Sequence, residues 1–326
     1  MADYKGIQGR SVQSLSADPG TLENVTGQVW YNTTTGTFKL STENAVSTGS
    51  WSAAPNLNTG RYYFNGAGST TAGIVAAGTP GGIKTEIYNG TAWSEDSDLN
   101  AVKGYPGIAG ISTAAICTGQ PTSIKNVETW DGTSWSETAD TNTDRSNSGP
   151  ARGPVTATIV AGGAGGGINA DPGATETYNG TSWTETGNNM NSPAAQGKAG
   201  LGTQTAMMSV GGEPTVALSE TYDGSTWTEG NNLNVGGGNF SGSGITTAGI
   251  VFGGTGPRAT ASETYDGTSW STAPATAQAH GPGLAGGDVG SSLTASFAAG
   301  GYTAGGVVNV DHWTYTQYAA KTVTVT

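Results

Sequence analysis

The chain has little of what most enzyme centres need. It contains 326 residues but one cysteine, Cys117, and two histidines, His280 and His312. One cysteine excludes an internal disulfide framework. No zinc-ligand spacing, no His-Glu-x-x-His and no nucleophile elbow occurs. Charged residues are 11% of the chain, against about a quarter in ordinary domains, so Ser, Thr, Asn and Gly must carry the surface. Basic residues number 12 against 24 acidic ones, for a net charge of −12. They are scattered, and phosphate neutralisation needs them clustered, which argues against nucleic acid or an anionic membrane as a partner. No apolar run approaches the ~18 residues of a membrane span, and no basic-then-apolar leader opens the sequence. The expectation is a protein made in a cytoplasm that reaches any outside location by assembly or lysis.

What the chain has in abundance is glycine, 55 residues, and a repeat. Six tryptophans are each followed by Ser or Thr: Trp51, Trp93, Trp135, Trp183, Trp227 and Trp270, at intervals of 42, 42, 48, 44 and 43 residues. A period in this range means stacked or ring-arranged units. The glycines recur in register with it, whereas a disordered tract would have no such period.

Five repeats carry an octet before the tryptophan, from Glu86-Ile-Tyr88-Asn-Gly-Thr-Ala-Trp93 to Glu263-Thr-Tyr265-Asp-Gly-Thr-Ser-Trp270. Asn-Gly or Asp-Gly between short β-favouring runs predicts a hairpin with a tight primed turn. Upstream lies an apolar run ending in glycine, such as Gly249-Ile-Val-Phe-Gly-Gly254, which reads as a strand buried on both faces. Before that run a small-residue stretch, such as Gly242-Ser-Gly-Ile-Thr, leaves room for one more strand where backbones crowd. Four short antiparallel strands per unit at this period predict an all-β protein, a β-propeller. One Tyr and one Trp per repeat suit packing between blades.

There are six apolar runs but five complete octets. The sixth run leads to Trp313-Thr-Tyr315, where Tyr315 is read in the place of Tyr265 and no tryptophan follows five residues on. Trp51, in turn, has no run of its own. Its downstream text, Ser-Ala-Ala-Pro-Asn-Leu-Asn58, parallels the stretches ending at Asn100 and Asn234. The N-terminal strand ending near Trp51 is therefore expected to complete the last blade, because an unclosed ring would expose two strand edges. Six blades are the first expectation. Seven is the alternative, with residues 26–51 pairing with Lys321–Thr326, whose Val/Thr alternation suits a half-buried strand. The expected division is a 1–24 arm, a 25–51 hairpin and closing strand, and a 52–326 propeller.

The order of apolar run, Gly-Gly, Tyr and Trp resembles the kelch repeat over roughly residues 52–320. It departs from kelch in keeping one glycine of the pair at Gly78 and Gly119, and in a Tyr-to-Trp interval of five residues. The rival WD40 pattern lacks its Gly-His opening here. Residues 1–24 lie outside the repeat and contain the turn signal Asp18-Pro-Gly20. With the hairpin signal Gly27-Gln-Val-Trp-Tyr-Asn-Thr-Thr-Thr-Gly-Thr-Phe38, they resemble N-terminal modules of virion structural proteins of tailed, particularly marine, bacteriophages.

Kelch propellers include galactose-oxidase-like enzymes, but a copper radical site needs two His, a Tyr and a Cys brought together. His312, between Asp311 and Trp313, is a candidate ligand whose plainer reading is structural, and Cys117 sits in an apolar run. The repeated Glu86, Glu128, Glu176, Glu220 and Glu263 are equivalent positions on a ring, whereas glycosidases need two carboxyls roughly 5–10 Å apart. Structural hydrogen bonding is the favoured role. Glu95-Asp-Ser-Asp98 falls short of a calcium loop, and Gly162-Gly-Ala-Gly-Gly-Gly167 lacks the Lys-Ser/Thr of a phosphate cradle. No catalytic, cofactor or metal residue is therefore assigned. The resemblance implies a non-enzymatic virion protein, a capsid decoration or tail appendage, anchored to other virion proteins by its N-terminal segment. The alternative is a lectin-like module, marked by exposed, non-repeated aromatics or by the long loops Arg145–Pro154, Gly165–Gly173 and Gly281–Gly290.

Overall fold

The computed structural model describes residues 13–16, 29–40, 49–119, 125–164, 173–191, 197–213, 216–255, 258–281, 285–287, 293, 295–315 and 321–323. All regular structure among them is β, and two compact units are present, Ser50–Thr314 and the two chain ends, Met1–Gly49 with Tyr315–Thr326.

The larger unit is a β-propeller of six four-stranded antiparallel sheets. Blade 1 runs outward from Asn65–Ser69 through Ala72–Ala76 and Thr85–Tyr88 to Trp93–Asp96. Blade 2 comprises Gly107–Ile111, Ala114–Thr118, Val127–Trp130 and Trp135–Thr138. Blade 3 comprises Ala151–Arg152, Thr158–Ala161, Thr175–Tyr178 and Trp183–Glu185. Blade 4 comprises Ala199–Thr203, Ala206–Val210, Ser219–Tyr222 and Trp227–Glu229, and blade 5 Ser241–Ile245, Ala248–Phe252, Ser262–Tyr265 and Trp270–Ala273. The innermost strands adjoin one another in cyclic order, and that of blade 6, Ala285–Gly287, meets that of blade 1. A short ribbon, Ser146–Ser148 with Gly163–Ala164, flanks blade 3.

The small-residue stretches become the innermost strands because little else fits there. A Cβ at Gly242 would press on Ala199 Cβ at 3.2 Å, a contact between neighbouring blades. The apolar runs become the second strands, buried nearly end to end as a sheet covered on both faces requires. The octets form the outer hairpin, but not with the expected two-residue turn. Tyr88 pairs with Trp93, leaving the four-residue loop 89–92. Asn89 Oδ1 accepts from the amides of Thr91 and Ala92, and only Gly90 has a positive φ, 94°. Asp131, Asn179, Asp223 and Asp266 repeat this side-chain turn. Self-capping by the Asx side chain substitutes for primed-turn geometry.

Blade 6 is assembled from both ends of the propeller, in the order Ala285–Gly287, Ala295–Ala299, Val310–Tyr315 and Gly49–Ala54. Trp51 lies 5.3 Å from Trp313, ring to ring. The third strand corrects one assignment. Trp313, fully buried, and not Tyr315, matches Tyr265, because Asp311-His-Trp313 lies in register with Glu263-Thr-Tyr265. Trp130 makes the same replacement in blade 2, and both indoles donate to a backbone carbonyl, of Ser112 and Leu293.

The chain ends form a separate four-stranded sheet in the order Gln13–Leu15, Val29–Asn32, Thr37–Leu40 and Lys321–Val323, its first pair parallel. Lys321–Val323 is thus not part of the propeller span expected for 52–326. It pairs with Thr37–Leu40 of the N-terminal hairpin, the pairing on which the seven-blade alternative rested.

The outer-strand tryptophans lock neighbouring blades. Trp135 Nε1 donates to Thr85 Oγ1 and Trp227 Nε1 to Thr175 Oγ1, both at 2.9 Å, and Trp51 Nε1 to Ser262 Oγ. Each acceptor sits on the third strand of the preceding blade. Trp93 and Trp183, facing Val310 and Val127 at that position, and Trp270, facing Ser219, find no acceptor among the described residues.

Candidate functional sites in the carboxylate ring and the channel mouth

The repeated glutamates are buried and joined to the linker that enters their own blade. Glu86 Oε2 accepts from the amide and side chain of Asn58, and the Asn58 side chain also donates to the carbonyl of Trp93. Asn100, Asn142 and Asn234 do the same for Glu128, Glu176 and Glu263, and Asn191 bonds Glu220 by its amide and the Trp227 carbonyl by its side chain, with amide-to-carboxylate distances of 2.6 to 2.7 Å. Each linker is stapled to the third strand of the next blade by a charge-assisted bond.

A cation neutralises each carboxylate, as burial of a charge demands. The pairs are Arg61–Glu86 at 2.6 Å, Lys103–Glu128 at 3.6 Å and Arg145–Glu176 at 3.0 Å, all essentially inaccessible. Lys198 faces Glu220; burial lowers its pKa and the carboxylate opposes that shift. Burial likewise lowers Arg61, against the pull of Glu86. In blade 5 the place of Arg61, three residues after the linker asparagine, holds Gly237. Arg258 reaches Glu263 from a different loop, at 2.7 Å, and a Cβ at Gly237 would collide with Arg258 Cδ. The cation has moved along the chain while keeping its place in space.

The innermost strands surround an axial channel, which Arg152 crosses. Its guanidinium donates to the carbonyls of Gly200, Ala151 and Gly242 at 2.7 to 2.9 Å, tying blade 3 to blades 4 and 5. On one side lies an apolar recess of about 370 Å³, walled by Ala67, Ile108, Ile111 and Val155. On the other, a polar recess of about 50 Å³ opens among Tyr63, Tyr105, Asn65, Asn239, Lys198 and Ser241.

This mouth has features that no blade repeat supplies. Tyr63 and Tyr105 stack with centroids 3.9 Å apart, Tyr62 packs edge-on against Tyr63, and Tyr302 packs against Tyr62. Tyr63, Tyr105 and Asn239 hold positive φ of 56°, 50° and 54°. A left-handed backbone at a bulky residue is strained and persists only where the surroundings enforce it. Burial, then the bond to Tyr63, raises the Tyr105 phenol above its ordinary pKa. Asn239 Nδ2 donates to Glu213, but its buried Oδ1 has no donor among the described residues.

The remaining sequence candidates are placed elsewhere. Cys117 is buried beside Trp130 in the core, its thiol pushed up to about 12 by burial. His312 stands edge-on to Tyr88 at 5.4 Å, and burial lowers its pKa despite Asp311. His280 pairs with Asp311 at 3.2 Å as the sixth joint of the ring. Of the acidic stretch, Glu95 accepts from Thr59 and Asp98 pairs with Lys84. No grouping of three or more potential metal ligands occurs among the described residues. The 145–154 loop supplies Arg145 and Arg152. Residues 165–172, 282–284 and 288–290 of the other two loops, and Asp18-Pro-Gly20, lie outside the described residues.

Neither a protein-family model nor a curated protein matches the sequence. Among solved structures, one described as "Structure of YjhT" superposes with a TM-score of 0.64 at 12% identity, covering 83% of this chain and 97% of that one. At this identity the likeness is one of fold alone.

Proposed function

We propose that the chain is a non-enzymatic, particle-borne structural protein of a tailed bacteriophage, in which a kelch-like propeller is the displayed head and the N-terminal segment the attachment. The phage placement comes from the resemblance of the N-terminal segment. The observation that supports a head on a base is the path of the chain. Both ends leave the ring through neighbouring strands of one blade, Gly49–Ala54 and Val310–Tyr315, and both enter the same terminal sheet. The head is therefore held by two adjacent covalent tethers. The repeated carboxylates, the obvious source of catalytic groups, are all occupied in joints between linker and blade.

Antibody labelling of intact particles in the electron microscope tests this reading. Regular labelling of capsid or tail, lost on deletion of residues 1–24, is the expected result. Unlabelled purified particles would remove it. A lectin-like module is the second reading, favoured by the cluster of tyrosines at the channel mouth, Tyr62, Tyr63, Tyr105 and Tyr302.

A further inference from the structure

We propose that the channel mouth, from the tyrosines at blades 6, 1 and 2 across to Asn239 at the entry to blade 5, is a binding site for a neutral saccharide, with its ring against the tyrosine cluster and one hydroxyl-bearing substituent in the adjoining recess. The site depends on the geometry of the ring, whether or not the protein is carried on a particle.

Three independent observations converge there. The first is the relation between scaffold and display. Tyr63 and Tyr105 stand two residues after Arg61 and Lys103, the cations of the first two joints. Asn239 stands two residues after Gly237, the matching place in blade 5. The buried joints are alike from blade to blade, whereas the residue each raises at the mouth is not. A variable position on a constant scaffold is where recognition is placed. At Tyr63 and Tyr105 the left-handed backbone, which a bulky residue does not favour, is the strain associated with such places, whereas Asn239 adopts it readily.

The second observation is Asn239, which lines the recess and whose buried Oδ1 has no donor among the described residues. A buried acceptor without a donor is costly, and a ligand hydroxyl supplies one. The recess, at about 50 Å³, admits a small substituent and not a whole ring.

The third is that the charges at the mouth are committed. Arg152 donates to three backbone carbonyls, the ammonium of Lys198 faces Glu220, and the carboxylate of Glu213 accepts from the Asn239 side chain. What the site offers is aromatic surface, phenol and amide, the mixture of apolar faces and few polar groups that holds an uncharged polar ring. Tyr302, 43% exposed, extends that surface outward.

The test uses the purified full-length chain on a printed panel of neutral and acidic oligosaccharides, followed by calorimetric titration of the best neutral one. Tyr105→Asn removes a ring while suiting the left-handed backbone, and Asn239→Gly removes the acceptor on the same terms. Both are expected to keep the wild-type melting temperature within a few degrees, and Tyr105→Asn to weaken binding by about tenfold or more. Asn239→Gly is expected to weaken it less. Binding confined to acidic oligosaccharides, no binding on the panel, or unchanged affinity in a folded Tyr105→Asn protein would each overturn the proposal.

Discussion

Blades 1 to 5 and blade 6 build the same joint from different residues. In the first five, a linker asparagine grips a glutamate. In blade 6 the linker residue is Gln278 and the acid is Asp311; the backbone amide of Gln278 donates to the carboxylate at 2.8 Å, and its side-chain amide reaches the other oxygen at 3.1 Å. The acid is one methylene shorter and the amide side chain one methylene longer, so their combined reach is unchanged. His280 replaces the lysine or arginine. Burial alone would raise the Asp311 pKa, but bonds from His280 and Gln278 outweigh it and lower it. What is held constant is the contact of a buried carboxylate with a linker amide and a basic side chain, not a residue.

The largest effect should follow from removing one member of a buried pair. Glu176→Ala leaves Arg145 uncompensated, and breaking such a pair typically costs about 3–5 kcal/mol. Chemical denaturation should show that loss, while exposed Glu185→Ala should change little. The compensation in blade 6 makes a sharper test. Gln278→Asn leaves the amide short of Asp311, and Asp311→Glu crowds it. Each alone should lower the melting temperature, and together they should recover most of the loss, since residues in contact are not additive.

The hairpin turns offer a comparison set by pH. Blades 1 and 3 cap the turn with Asn89 and Asn179, and the other octets with Asp131, Asp223 and Asp266. Backbone and hydroxyl donors hold Asp223 down at about 2, and similar donors lower Asp131 and Asp266. A depressed folded-state pKa contributes stability above the unfolded value of about 4, which is lost as pH falls through the folded value. Replacing all three aspartates by asparagine should therefore shift acid unfolding, followed between about pH 4 and 2, to lower pH. The smallest effect belongs to the unpaired indoles. Val127→Thr gives Trp183 the hydroxyl that Thr85 gives Trp135, and should add up to about 1 kcal/mol.

The parts of this account that were legible in the sequence are those that repeat. The period, the apolar runs and the glycine-rich stretches specify six four-stranded sheets, and the unmatched Trp51 points to a blade shared by both ends. The joint was half visible, because Asn58, Asn100 and Asn234 stand in parallel text downstream of a tryptophan. Its cation was hidden. Lys198 lies seven residues after Asn191, Arg258 comes from a different loop, and no fixed spacing reveals a group positioned only in space. Trp313 was misread because aromatic spacing to the chain end was followed instead of the carboxylate two residues before it. Tyr63 and Tyr105 share one place after the linker asparagines, Asn58 and Asn100, but only the closed ring shows that they meet.

The central claim is that each joint needs one cation at one point in space, from whichever segment can deliver it. Moving that cation in blade 5 tests it most directly, by measuring the melting temperatures of Gly237→Arg, Arg258→Gly and the double variant. Each single change should destabilise, the first by collision with Arg258 and the second by leaving Glu263 uncompensated. The double variant places an arginine where Arg61 stands in blade 1 and should recover more than half of the larger loss. A double variant that loses the sum of the two would contradict the account.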